Sequence, residues 1–120
     1  MHYMLLVYSR EGRKPTDEER VALIKGHWSV MNETRERGIL LGAGPLQPTV
    51  TATTVRMEDD KPIVLDGPFA ETKEQLAGYY LLDCKDLDEA IAWATRIPTM
   101  CKGMQGCIEI RPMAPIPPLA

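Results

Sequence analysis

The chain has 120 residues, 44% hydrophobic and 26% charged, which is the range of one ordinary globular domain. Its net charge of −3 comes from acids and bases mixed along the chain without a basic block, which argues against nucleic acid as a direct partner. No run approaches the roughly 18 apolar residues of a membrane span, and residues 1–8 lack a charged n-region and a cleavage site, so a cytoplasmic protein with no membrane contact is expected.

In chain order, the apolar run Tyr3 to Tyr8 predicts a buried strand. A polar loop with Gly12 and Pro15 follows, and Thr16-Asp17-Glu18-Glu19 matches a capping box at the start of a helix over residues 17–37. Val21, Ile24, Trp28 and Met31, three and four apart, form its apolar stripe, with Leu23, His27 and Val30 on the flank. Gly38 stops it as a C′ residue, while Gly26 in its interior costs about 1 kcal/mol relative to Ala. Residues 39–43 predict a second strand, and Gly44-Pro45 turns the chain. Thr51 to Met57 and Pro62 to Leu65 predict a hairpin around Glu58-Asp59-Asp60-Lys61. After the break at Asp66-Gly67-Pro68-Phe69, residues 71–75 suggest one helical turn and Gly78 to Cys84 a strand. Asp86 caps a second helix, with Leu87, Ala90, Ile91 and Ala94 on one face, that ends before Pro98. A loop over 100–106 leads to a closing strand, Cys107 to Arg111, and four prolines keep 112–120 extended.

The order β-α-β-β-β-β-α-β, with the hairpin set aside, is the ferredoxin-like split β-α-β plan of an α+β fold: one antiparallel sheet with both helices on one face. The predicted organisation is a single domain over 1–111 and a Pro-rich tail over 112–120. The opposite sheet face also carries Leu, Val, Ile and Tyr, and two helices cannot cover both faces. A second copy can, so an isologous homodimer is expected.

The stretch DGPFAETKEQLAGYYLLD (66–83), with GPLQPTVTATTVR (44–56), YMLLVY (3–8) and EIRP (109–112), resembles the signature of the DGPF, or YCII-related, family over nearly the whole chain. The resemblance implies a dimeric α/β barrel type of ferredoxin-like domain. It also implies a link to transcriptional regulation, since many members are encoded beside extracytoplasmic-function sigma factors. YciI-like members carry a proposed His–Asp pair. Counting back from Gly44-Pro45 places His27 at that histidine, and the acid after strand one corresponds to Glu11.

From the residues alone, His27 is the foremost candidate for chemistry, because an imidazole exchanges protons near neutrality and this one sits at the rim of the apolar stripe. A boundary histidine with one hydrogen bond is the plainer alternative. A carboxylate would orient the ring, with Glu11 the first choice and Asp66 the second. Asp66, before Gly67-Pro68, reads either as an Asx turn or as a carboxylate at a pocket mouth. Glu71, Lys73 and Glu74 read as a solvated charged run or, beside Asp66, as ligand contacts. Tyr79 and Tyr80 must point to opposite sheet faces, one under the helices and one toward a dimer cavity; either hydroxyl suits a ligand. Phe69, the only phenylalanine, would anchor the core or the dimer seam.

Cys84, Cys101 and Cys107, odd in number and without CxxC spacing, read as reduced structural cysteines, a redox role for Cys101 and Cys107 being the alternative. GILLGAGP (38–45) has neither a Walker lysine nor a strand–GxGxxG–helix context, so it is no phosphate loop. Two distant histidines and scattered cysteines exclude zinc, which leaves a carboxylate site for a hard cation open; no cofactor is expected. Three functions compete: a small-molecule-binding or regulatory module linked to sigma-factor-dependent transcription, a cofactor-free enzyme using His27 with a carboxylate, and a purely structural dimer.

Overall fold

Tyr3, Leu5 and Val7 alternate with Met4, Leu6 and Tyr8 along β1 (His2–Ser9), and this period of two assigns the two faces of the sheet. A computed structural model of the chain describes residues 1–12, 14–99 and 106–119. After β1 come α1 (Asp17–Glu36), β2 (Leu40–Pro45), a 3-10 turn (Thr49–Thr51), β3 (Thr53–Glu58), β4 (Lys61–Asp66), β5 (Gln75–Asp83), α2 (Leu87–Ala94) and β6 (Gly106–Pro112). The main sheet is antiparallel in the order β2-β5-β1-β6, and β3 and β4 pair only with each other. With that hairpin set aside, the α+β topology is compatible with the ferredoxin-like plan. No helix among the described residues is long and apolar enough to cross a membrane.

The capping box is formed: Glu19 N–H donates to Thr16 Oγ1 at 3.2 Å and Thr16 N–H to Glu19 Oε1 at 3.0 Å. Gly38 ends α1 in the left-handed region, with φ of 72°. Asp86 caps α2 by accepting from Glu89 N–H at 2.9 Å. The core lies between the helices and one sheet face. Tyr3, Leu5 and Val7 of β1, Tyr80 and Leu82 of β5, Val30 of α1, and Ala90 and Trp93 of α2 are all buried. Arg37 and Arg96 each lie over the Trp93 ring, 5.2 and 5.0 Å from its centroid, and both guanidiniums bond Glu33, so α1 is tied to α2 through one carboxylate. The Arg96 hydrogen bond is the main cause that holds the Glu33 carboxyl below its usual range.

Both helices face the core differently from the expectation. Val21, Ile24 and Trp28 are each close to half exposed, and the side of α1 turned inward is Leu23, His27, Val30 and Thr34. That line is the predicted stripe moved back by one residue, about 100° of helix rotation. In α2 Ala90 and Trp93 are buried while Leu87 and Ile91 are exposed. Each helix has more apolar circumference than one sheet contact can cover, so periodicity alone does not select the side. The expected helical turn over 71–75 is absent: β5 begins at Gln75 and carries a bulge at Ala77, between the pairs Val7–Gly78 and Tyr8–Leu76.

The molecule is broad and flat, 46 × 46 × 19 Å. Its radius of gyration is 16.6 Å, where a compact chain of this length has about 14 Å. Its accessible surface is 8950 Å², where a folded monomer of this mass shows about 6,500 Å². The hairpin pairs outside the main sheet, and residues 113–119 form neither helix nor strand. On the hairpin Val55, Met57, Val64 and Leu65 are exposed; in the tail so are Ile116 and Leu119.

Candidate functional site

A cleft of about 360 Å³ opens between α1 and the β1/β5/β2 part of the sheet. Its walls are Val7, Leu23, Ile24, Trp28, Met31, Ala43 and Pro98, with Ser9 and Thr99 at its edge. Ile24 and Trp28 are exposed because they form the outer wall of this cleft instead of entering the core. Gly26 explains the approach of the far wall: a Cβ there would lie 3.0 Å from Pro98 Cγ.

His27 and Tyr80 form the polar floor. Tyr80 lies on a central strand, opposite Leu5 of β1 and Ala43 of β2, so its ring points under α1. His27, one turn before Val30 on the inner side of α1, meets it there: Nδ1 is 2.6 Å from the Tyr80 hydroxyl oxygen, and the rings stack at 5.9 Å with 17° between planes. Burial pushes the Tyr80 phenol up to about 12 and holds the His27 imidazole below its ordinary value. Both groups are therefore neutral at pH 7. The imidazole is the stronger acceptor and the phenol the stronger donor, so Tyr80 O–H donates to Nδ1 and the ring proton sits on Nε2. Among the described residues Nε2 has no hydrogen-bond partner. Every fully buried side-chain nitrogen and oxygen of the described residues is paired, so Nε2 is reachable from the cleft or from solvent.

The carboxylates considered for His27 serve elsewhere. Glu11 accepts from Thr49 N–H at 2.8 Å and from Thr49 Oγ1 at 2.7 Å, and its own N–H donates to Gln75 Oε1 at 2.8 Å. It braces the β1–α1 loop against the 3-10 turn and does not line the cleft. Asp66 is exposed at the end of β4, opposite Thr53. The expected Asx turn is not what holds that corner: Gly67, at φ of 94°, donates to Ala52 O at 2.7 Å, and its carbonyl accepts from Thr54 Oγ1 at 2.8 Å. Glu71 and Lys73 are exposed on the β4–β5 connection and do not line the cleft. The Tyr79 ring stands over Gly42 and Gly44 on the opposite sheet face while Tyr80 faces the helices, and both residues border the cleft. Phe69 is outside the core and largely exposed.

Cys84 is buried and its thiol is pushed up to about 11, first by burial and then by Glu89. Burial, with Glu74 and Glu109, also raises Cys107. Neither is an activated thiolate. Both are free, and Cys101 lies outside the described residues.

Sequence reasoning named His27 and Tyr80 separately but sought a carboxylate partner, and it assigned Ile24 and Trp28 to the core. The available signal was Gly26, a costly helix-interior residue that marks a close approach one position from His27.

The sequence model of the YCII-related domain matches residues 1–116. The uncharacterized protein R00369 of Rhizobium meliloti (strain 1021) is 39% identical over 116 residues, 95% of this chain and 93% of that protein.

Proposed function

The chain belongs to the YCII-related family, and from that premise we propose a cytoplasmic, homodimeric, small-molecule-binding module of the dimeric α/β barrel type. Its ligand sits in the α1 cleft, and its regulatory role is linked to sigma-factor-dependent transcription. The observation that carries the binding reading is an apolar cleft of about 360 Å³ with one polar couple on its floor. Ligand sites have this size and this sparing use of polar groups. The transcriptional link rests on the family resemblance alone.

The homodimer is supported by surface area. The chain exposes about 2,500 Å² more than a compact monomer of its mass. Obligate dimers bury roughly 1,000–2,500 Å² per partner. Among the uncovered apolar side chains are those on the hairpin, Phe69, and Leu41 and Leu76 on the sheet face opposite the helices, beside others on the helices and in the tail.

The binding reading is tested by a thermal-shift screen of a metabolite library against the wild type and Ala43→Leu, which fills the cleft. Stabilisation by a few compounds that Ala43→Leu abolishes is expected. No stabilisation across the library overturns it. Hydrodynamic mass tests the dimer: twice 13.4 kDa is expected, and a single 13.4 kDa species at high concentration removes it.

The 2.6 Å His27–Tyr80 contact favours a second reading, a cofactor-free enzyme with that couple as its acid and base. Among the described residues no carboxylate bonds His27, and with Nδ1 held by the Tyr80 hydroxyl the imidazole offers Nε2–H, a donor and not a lone pair, which suits hydrogen-bond donation better than proton abstraction. Turnover of a library hit, lost in His27→Phe, would move the function to this class.

A further inference from the structure

The composition of the cleft narrows the kind of molecule it takes, an inference that rests on the binding reading above. None of the described lining residues is Asp, Glu, Lys or Arg. A charged ligand would give up its water with no opposite charge to meet it, which is strongly unfavourable. The walls from Val7, Leu23, Ile24, Trp28 and Met31 are apolar and suit a mainly apolar body. On the floor, Tyr80 O–H is committed to Nδ1 at 2.6 Å, and this fixes the tautomer of His27. Among the described residues the Nε2–H group has no hydrogen-bond partner. An acceptor on the ligand satisfies it.

We propose that the cleft binds an uncharged, largely apolar carbonyl compound, whose carbonyl oxygen accepts from His27 Nε2–H. Tyr80 is then a positioning residue: it touches no ligand atom in this role and acts by holding the imidazole as the Nε2–H tautomer.

The test uses the full-length protein and one carbon skeleton in three forms: naphthalene, 2-acetylnaphthalene and 2-naphthoate. Titrations are followed by Trp28 fluorescence, with Trp28→Phe as the signal control, and by calorimetry. The ketone is expected to bind about fivefold tighter than the hydrocarbon, the worth of one ordinary hydrogen bond, and the carboxylate at least tenfold weaker than the ketone. The double variant His27→Phe/Tyr80→Phe, which keeps both rings and leaves no hydroxyl orphaned, should bind ketone and hydrocarbon equally. Imidazole nitrogen shifts in the unliganded protein should show the Nε2–H tautomer, and Tyr80→Phe should release that preference.

Equal binding of ketone and hydrocarbon, preference for the carboxylate, or an Nδ1–H tautomer each overturns the ligand class while leaving the cleft as a binding site. Failure of all three compounds to bind also overturns it. If the metabolite screen then yields nothing either, the binding reading falls with it.

Discussion

The helix-covered sheet face and the β3–β4 hairpin are written in the same residues and end in opposite surroundings. Leu5 and Leu82 are 0% exposed beneath α1 and α2, whereas Val55 and Val64 are 61% and 63% exposed on a hairpin that pairs only with itself. Both regions alternate with the period of a strand, and both are rich in β-branched or aliphatic side chains. An isolated two-stranded hairpin is marginal in water, and nothing among the described residues of the subunit packs on this one enough to bury those side chains. The difference teaches that alternation specifies a strand and a face but not what covers that face. One region is completed by its own helices; for the other the proposed cover is a second copy.

Four measurements break or sharpen this contrast, from the largest effect to the smallest. Trp93→Ala, at a buried ring flanked by two guanidiniums, should cost about 4 kcal/mol in urea unfolding and loosen α2 from α1. Leu5→Ala, at the centre of the covered face, should cost about 3 kcal/mol by the same measurement. If it cost no more than Val64→Ala does in a protein held monomeric by dilution, the distinction between the two regions would be lost. On the hairpin, Val55→Asp/Val64→Asp should leave the far-ultraviolet circular dichroism of the subunit unchanged and halve its sedimentation mass. A double variant that still sediments as a dimer would place the interface elsewhere. Asp60→Gly should stabilise by about 0.5 kcal/mol, because Asp59 and Asp60 both hold positive φ, 49° and 63°, as a two-residue I′ turn requires.

The cleft adds a pH dependence to the covered side alone. The folded His27 value lies below the ordinary one, with burial as the cause. Its neutral form is therefore favoured by folding, and this contribution is complete above the unfolded pKa of about 6.5. It is lost as the pH falls from there through the lowered folded value. Urea unfolding at pH 7.5 and 5.5 should show wild type losing more stability on acidification than His27→Phe/Tyr80→Phe. Glu33, also lowered, acts in the carboxylate range and leaves this window clear.

Much of the fold was legible from local chemistry. The capping box at Thr16–Glu19, the cap at Asp86, the stop at Gly38 and the opposition of Tyr79 to Tyr80 each depend on residues a few positions apart. The string from Asp66 to Asp83 was specific enough to indicate the family that the comparison shows. The orientation of both helices was not legible: moving the stripe by one residue exchanges Ile24 and Trp28 for Leu23 and His27 at the core, and both sets are periodic. Nor was the partner of His27, because Tyr80 lies 53 positions away and a hydroxyl serves Nδ1 as well as a carboxylate does.

Taken alone, the sequence determined the order of strands and helices and the caps and stops at Thr16, Gly38 and Asp86, since caps, glycines and alternation act over a few residues through backbone sterics and hydrogen bonds; it did not determine the start of β5, where a strand stands in place of the expected turn. It also determined that the apolar surface exceeds what two helices can cover. Only the tertiary structure decided which side of α1 faces inward, that Ile24 and Trp28 wall a cleft, and that His27 meets Tyr80 and not Glu11. Those outcomes depend on rigid-body packing between elements distant in the chain, where a rotation of about 100° about a helix axis changes every contact without changing any local rule.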